Sequence, residues 1–207
     1  MAKSIFKRRS ETGAEMSFID HLEALRWHIM RALMAILIGA VVVFVKMDFF
    51  FGKVVMGPAD KDFITYRALC KFSHWVGLGD AMCMDEINLK LISTQMSSQF
   101  MMSFTIAFVG GFIIAFPFIL WELWKFVSPA LYDKEKKNVK LFIFIASILF
   151  FLGVAFGYFV LTPLSINFLA NLTVSDQVKN AIDMDSYIGL VKSTSLATGL
   201  VFELPIV

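Results

Sequence analysis

The chain has 207 residues, of which 58% are apolar and 15% aromatic, whereas only 17% are charged. Soluble domains carry about 25% charged residues, so this composition indicates an integral membrane protein. The net charge of +2 is too small to favour a nucleic-acid-binding protein.

The N-terminal region predicts a tail followed by a helix that enters the membrane. Residues 1–15 are polar and basic, and no small-residue cleavage site follows the first apolar run, so we interpret them as a cytoplasmic tail. Phe18, Leu22 and Leu25 are spaced to share one face of an amphipathic helix. This helix is expected to continue into a short first span at about residues 29–46.

The stretch between the first and second apolar runs has mixed charge and carries both cysteines, Cys70 and Cys83. If this stretch is extracytoplasmic, the two can form a disulfide, although two free thiols are equally compatible with the sequence. Their spacing matches no metal-binding pattern, so no metal site is predicted. Leu89, Ile92 and Met96 have helical spacing and predict a helix that rises into the second span.

The second span is predicted at about residues 100–126, and Gly110-Gly111 within it favours close helix packing. Trp121 and Trp124 near its end are aromatic residues typical of the membrane interface. Beyond it lies a short loop at 127–140 that is rich in lysine. Short basic loops face the cytoplasm, so we expect this loop on the cytoplasmic side.

The third span, residues 141–162, contains no charged residue and is expected to end at Pro163. The stretch that follows has no cationic excess and is expected on the opposite side of the membrane. A fourth apolar run at 187–207 is still apolar at Val207, so we expect the natural protein to continue. The predicted fold class is an all-α integral membrane helical bundle.

Four acidic residues lie at or within the predicted membrane: Glu23, Glu122, Glu135 and Glu203. Carboxylates inside a membrane are costly and mark functional sites by default, which makes Glu122 and Glu203 candidates for an intramembrane polar site. For Glu23, a surface pair with Arg26 is the alternative, and for Glu135 the alternative is a solvated loop charge. No nucleophile, phosphate-binding or metal motif is present, so we expect neither an enzyme nor a cofactor.

Four segments of the sequence resemble one family. They read HLEALR at 21–26, PFILWELWKFVSPALYDKEKK at 117–137, GVAFGYFVLTPLSINFLANL at 153–172, and FELP at 202–205. Together they are similar to TatC, the multispanning receptor subunit of the twin-arginine protein translocase. The resemblance runs from about residue 16 to residue 207, which we treat as one membrane domain.

The resemblance implies six spans with both termini cytoplasmic, of which this chain supplies three and part of a fourth. It implies a subunit of the bacterial cytoplasmic membrane that binds twin-arginine signal peptides on its cytoplasmic face. Folded cargo would then be exported by the proton-motive force, together with single-span TatA-type and TatB-type subunits in an oligomer. The signal-peptide site carried over by the resemblance comprises Glu23, Leu25, Arg26, Phe126, Pro129 and Glu135.

The chain departs from the family pattern at two positions. Ala24 stands where the family has a glutamate, and Glu122 stands where it has a glutamine. Two guanidinium groups require two carboxylates, so we hypothesise that Glu23 or Glu122 replaces the acid missing at Ala24. The alternative function for the chain is an ion-coupled secondary transporter with Glu203 as its proton carrier.

Overall fold

The structure, a computed structural model, describes residues 18–60, 63–76, 91–93, 97–127, 139–171 and 182–205. Within these ranges the chain is almost entirely helical. The helices are α1 (Phe18–Val45), α2 (Met47–Phe49), α3 (Ile64–Val76), α4 (Ser98–Val127), α5 (Val139–Phe156), α6 (Thr162–Asn171) and α7 (Met184–Glu203). A π-helix at Phe50–Val55, a 3-10 turn at Gly57–Ala59 and a π-helix at Gly157–Leu161 complete the helical elements.

Three helical stretches are long and apolar enough to cross a membrane: Glu23–Val45, Ser98–Val127 and Lys140–Ala170. They correspond to the first three predicted spans, although each is longer than predicted because the helix continues beyond the uncharged core. The fourth predicted span corresponds to α7, which is not among these three. Lys192 and Glu203 interrupt its apolar character, and its membrane crossing stays a prediction.

The bundle is built from two antiparallel helix pairs, α1 with α4 and α5 with α7. Glycine allows the closest approach in both pairs, because an added Cβ would collide with the neighbouring backbone. A Cβ on Gly111 of α4 would lie 2.8 Å from Cα of Ala40 in α1, and one on Gly153 of α5 would lie 2.7 Å from the Thr198 carbonyl oxygen in α7. Stacking of Phe116 on Phe150 then joins α4 to α5.

The two ends of the bundle differ. At one end, here called the loop end, α1 begins, α4 ends and α5 begins. At the other, the strand end, lie α3 and a parallel pair of two-residue strands, β1 (Leu91–Ile92) and β2 (Ile182–Asp183). At the strand end Ser98 donates a hydrogen bond of 2.5 Å to Asp185, which fixes the start of α4 against the start of α7. The helix predicted from Leu89, Ile92 and Met96 is therefore wrong at Ile92, because pairing with β2 holds that residue extended.

The helix that contains the predicted third span does not end at Pro163. Helical structure continues through α6 to Asn171, and the π-helix at Gly157–Leu161 directly precedes α6. Proline offers no N–H to the carbonyl four residues earlier, at Phe159. That carbonyl instead accepts a hydrogen bond of 2.5 Å from Thr65 in α3, and Thr162 donates one of 2.9 Å to the Gly157 carbonyl.

Three tyrosines hold the segment after α1 at the strand end. Tyr66 donates to the Pro58 carbonyl at 2.8 Å, Tyr158 to that of Val54 at 2.6 Å, and Tyr187 to that of Val55 at 2.7 Å. Burial raises the pKa of Tyr66 to about 12, so its hydroxyl stays a donor throughout the physiological pH range. These bonds satisfy carbonyls that the irregular helix leaves open.

Candidate functional site

Glu122 lies at the centre of a charged cluster at the loop end of the α1–α4 pair. It belongs to the last two turns of α4, and its side chain is 3% exposed. The close approach of α1 and α4 at Gly111 brings this part of α4 against the N-terminal half of α1. The carboxylate therefore meets side chains that are more than ninety residues away in the sequence.

Both carboxylate oxygens of Glu122 have partners within the chain. His28 Nδ1 of α1 lies 2.7 Å from Oε2, and Lys125 Nζ, one turn further along α4, lies 2.8 Å from Oε1. Arg31 Nη1 of α1 lies 3.8 Å from Oε2. A carboxylate in an apolar bundle requires such partners, because an unpaired buried charge is strongly destabilising.

Aromatic rings surround the cluster. The His28 ring meets Phe126 edge-to-face with their centroids 6.3 Å apart, and Lys125 Nζ lies 5.6 Å from the centre of the Trp121 ring. Trp124, which the sequence placed at the interface with Trp121, packs on Phe142 of α5. These contacts place apolar rings against His28 and Lys125, the two hydrogen-bond partners of Glu122.

Of the predicted signal-peptide residues that the structure describes, Phe126 contacts His28 of this cluster, and the others precede His28 on α1. Glu23 and Arg26 are exposed on α1, and Leu25 and Phe126 are half-buried. Among the described side chains no ion pair joins Glu23 to Arg26, so the surface pair considered as its alternative role is not formed. Pro129 and Glu135 lie outside the described residues, and their roles stay predictions.

The partners of Glu122 were not identified from the sequence. No pattern in the sequence connects His28 or Arg31 with Glu122. A signal for a shared face is present, because His28 and Arg31 are one turn apart on α1. The sequence could not show that this face meets the end of α4.

Glu203, the second intramembrane candidate, lies in a different part of the bundle. It is 8% exposed at the end of α7, which packs on α5, and its Oε1 has no hydrogen-bond partner among the described residues. Glu122 and Glu203 therefore belong to separate helix pairs. Among the described residues no group of three or more histidine, cysteine, aspartate or glutamate side chains could hold a metal ion.

Cys70 of α3 is disulfide-bonded. Cys83, the other cysteine of the sequence, lies outside the described residues, so its pairing with Cys70 stays a prediction. A disulfide at the strand end is compatible with an extracytoplasmic location of that end.

Comparison with known proteins identifies the family. The profile of the family described as Sec-independent protein translocase protein (TatC) matches residues 20–207. The protein of that name from Blattabacterium sp. subsp. Periplaneta americana is 36% identical over 206 residues, covering 93% of this chain and 73% of the relative. The one from Deinococcus radiodurans is 31% identical over 204 residues, covering 99% of this chain and 68% of the relative.

Solved structures agree with the sequence comparisons. A crystal structure of the twin-arginine translocase receptor TatC matches with a TM-score of 0.66 and 28% identity, covering 90% of this chain and 72% of the solved one. A second, of the same receptor in DDM, matches with a TM-score of 0.69 at the same identity and coverage. The chain belongs to the TatC family of Sec-independent protein translocase proteins.

Proposed function

We propose that the chain is the membrane subunit of a twin-arginine translocase that binds twin-arginine signal peptides at the loop end. The observation that carries the proposal is membership of the TatC family, whose solved members are described as twin-arginine translocase receptors. The structure adds a surface at the loop end where exposed Glu23 and half-buried Phe126 lie on two adjoining helices.

The chemistry of the site follows from the guanidinium group. Each arginine presents a planar set of donors that a carboxylate can accept in pairs, and a partly dehydrated surface strengthens these bonds. In this proposal Glu135 of the 127–140 loop accepts one arginine. Glu23 is exposed, without an ion-pair partner among the described side chains, and adjoins Ala24, so it accepts the other.

Glu122 has a different role in this proposal. Both of its oxygens are engaged by His28 and Lys125, and a peptide arginine would have to displace one of these two side chains. We therefore assign Glu122 as a positioning residue that holds α1 on the end of α4. In this proposal Glu23, and not Glu122, replaces the acid that is missing at Ala24.

The proposed topology places the loop end in the cytoplasm and the strand end outside, in a bacterial cytoplasmic membrane. Lysines of the 127–140 loop support this orientation, because short basic loops are retained inside. Single-span TatA-type and TatB-type subunits would complete an oligomeric translocase driven by the proton-motive force. The transporter alternative, with Glu203 as proton carrier, is not favoured, because the relatives are named as translocase proteins.

Binding of a twin-arginine peptide to the purified full chain tests the proposal. Glu135→Gln should weaken binding roughly tenfold to a hundredfold, since losing one charge-assisted pair costs about 1–3 kcal/mol. Glu23→Gln should have a similar effect, and Ala24→Glu in that variant should restore affinity. Asp48→Asn is the matched control, because it removes an exposed acid from the strand end.

A second peptide with lysines in place of both arginines separates specific recognition from simple charge attraction. Wild-type protein should prefer the arginine peptide, and Glu135→Gln should reduce that preference. Equal binding of the arginine peptide to wild type and to Glu135→Gln would refute the assigned site. Equal weakening by Asp48→Asn would show that only overall charge matters.

A further inference from the structure

The half of the bundle towards the strand end contains an apolar cavity that the proposed function does not use. Its volume is about 620 Å³, and it lies between α4, α5, α7 and the π-helix after α1. The lining is mainly large apolar side chains, including Ile106, Ile113, Phe151, Val154 and Ile188. Sites of about 300–1,000 Å³ are large enough to enclose a small molecule or part of a lipid.

Two lysines line this cavity, Lys53 on the π-helix and Lys192 on α7. Lys192 is the ninth residue of α7 and so lies about 12 Å along the axis from the strand end. Among the described residues neither lysine has an acidic partner. A cation this far along an apolar helix is costly unless an anion meets it or its side chain reaches the headgroup level.

A buried hydroxyl provides a second, independent observation. Ser195 lines the same cavity and is 6% exposed, yet its Oγ has no hydrogen-bond partner among the described residues. It is one helical turn beyond Lys192 on the same face, about 4.5 Å deeper from the strand end. A buried donor without an acceptor is unfavourable, so an acceptor brought by an occupant of the cavity would stabilise Ser195.

We propose that the cavity binds an anionic phospholipid of the leaflet at the strand end. The phosphate contacts the ammonium groups of Lys53 and Lys192, an ester carbonyl below it accepts the hydrogen bond of Ser195, and an acyl chain fills the apolar interior. A phospholipid presents an anion, then a carbonyl, then hydrocarbon with increasing depth. The two lysines and the serine follow that order, and the apolar lining continues beyond them at Ile113, Phe151 and Val154.

A partner helix is the alternative occupant, because it could bring a carboxylate to the lysines and an acceptor to Ser195. A phospholipid is favoured because one molecule brings both an anion and a hydrocarbon chain to a cavity whose lining is mainly apolar. The lipid site is separate from the loop end, so it stands or fails independently of signal-peptide binding.

Native mass spectrometry of the delipidated full chain, titrated with phosphatidylglycerol, tests the proposal. Wild type should bind one lipid, Lys53→Gln with Lys192→Gln should weaken binding tenfold to a hundredfold, and Ser195→Ala should weaken it twofold to tenfold. Lys46→Gln with Lys71→Gln is the matched control, because it removes two exposed lysines that do not line the cavity. Phosphatidylcholine, which has no net charge, should bind more weakly than phosphatidylglycerol to wild type.

Undiminished binding in the Lys53/Lys192 variant, or equal loss in the control variant, would overturn the proposal. So would lysine-dependent binding of a carboxylate-bearing apolar helix that phosphatidylglycerol does not displace. Photoactivatable phosphatidylglycerol on wild-type protein supplies a test that needs no variant. It should label the α4 and α5 segments around Ile113 and Phe151, and labelling confined to other segments would also overturn the proposal.

Discussion

Replacing Glu122 by glutamine tests whether the charged cluster holds α1 against α4. Glutamine has nearly the same shape and keeps hydrogen-bonding groups at the same place, so the change mainly removes the negative charge. We expect Glu122→Gln to lower the free energy of unfolding. Glu122→Leu should lower it further, because it also leaves His28 and Lys125 without their acceptor.

The size of the effect follows from the exposure of each partner. The side chains of Lys125 and Arg31 are 48% and 58% exposed, so their pairs resemble surface ion pairs of about 0.2–1 kcal/mol. His28 is 20% exposed and its bond to Glu122 is 2.7 Å long, which favours a charge-assisted value of about 1.5–3 kcal/mol. Glutamine retains part of this interaction, so we expect a loss of about 1–2 kcal/mol.

Reversible unfolding in mixed micelles provides the measurement, and a double-mutant cycle isolates the pair. Glu122→Gln, His28→Gln and the combination should give a coupling energy of about 1 kcal/mol, because the two side chains are in direct contact. Glu23→Gln is the control, since it makes the same change at an exposed α1 position without an ion-pair partner among the described side chains. Its free energy of unfolding should match wild type.

Additive effects of the His28 and Glu122 changes would refute the reasoning, as would an equal loss in Glu23→Gln. The comparison with peptide binding sharpens the assignment. Glu23→Gln should weaken peptide binding without loss of stability, whereas Glu122→Gln should lower stability. A Glu122→Gln variant with wild-type stability but weakened peptide binding would make Glu122 a direct acceptor of an arginine.

Two further predictions concern the packing of the bundle. Gly111→Ala should lower the free energy of unfolding by about 1–3 kcal/mol, because the added Cβ would lie 2.8 Å from Cα of Ala40. Gly189→Ala is the control and should be close to neutral in the same unfolding assay, since a Cβ added there meets no atom within 4 Å. Tyr66→Phe should cost about 1 kcal/mol at pH 7 by removing the bond to Pro58. Burial raises the pKa of Tyr66 to about 12, so the contribution of its hydroxyl to stability is complete below about pH 10 and is lost as the pH rises towards 12. In denaturant unfolding, the difference in free energy of unfolding between wild type and Tyr66→Phe should therefore narrow over that interval.

Hydropathy alone was sufficient to locate the three helices that are long and apolar enough to cross a membrane. A membrane helix must satisfy its own backbone hydrogen bonds and cover about 30 Å of hydrocarbon, so a long uncharged run has few other structures available. The close-packing role predicted for Gly110-Gly111 is confirmed, since Gly111 lies against Ala40. The motif around residues 117–137 carried the family assignment without any structure.

Long-range contacts decided the features that the sequence did not show. Ile92 has helical spacing with Leu89 and Met96, but it is a strand residue because it pairs with Asp183. The helices α4, α5 and α6 separate these two residues along the chain. Pro163 is a strong local stop signal, but Thr65 supplies the donor that proline lacks, and the helix continues. The sequence predicts that Glu122 is an acid available to a ligand, but in the fold His28 lies beside it and occupies one of its oxygens. Local sequence determines which segments become helices, because backbone hydrogen bonding and burial in lipid act within one segment. Packing between distant segments decides which helix faces meet. His28 and Glu122 are paired although more than ninety residues separate them.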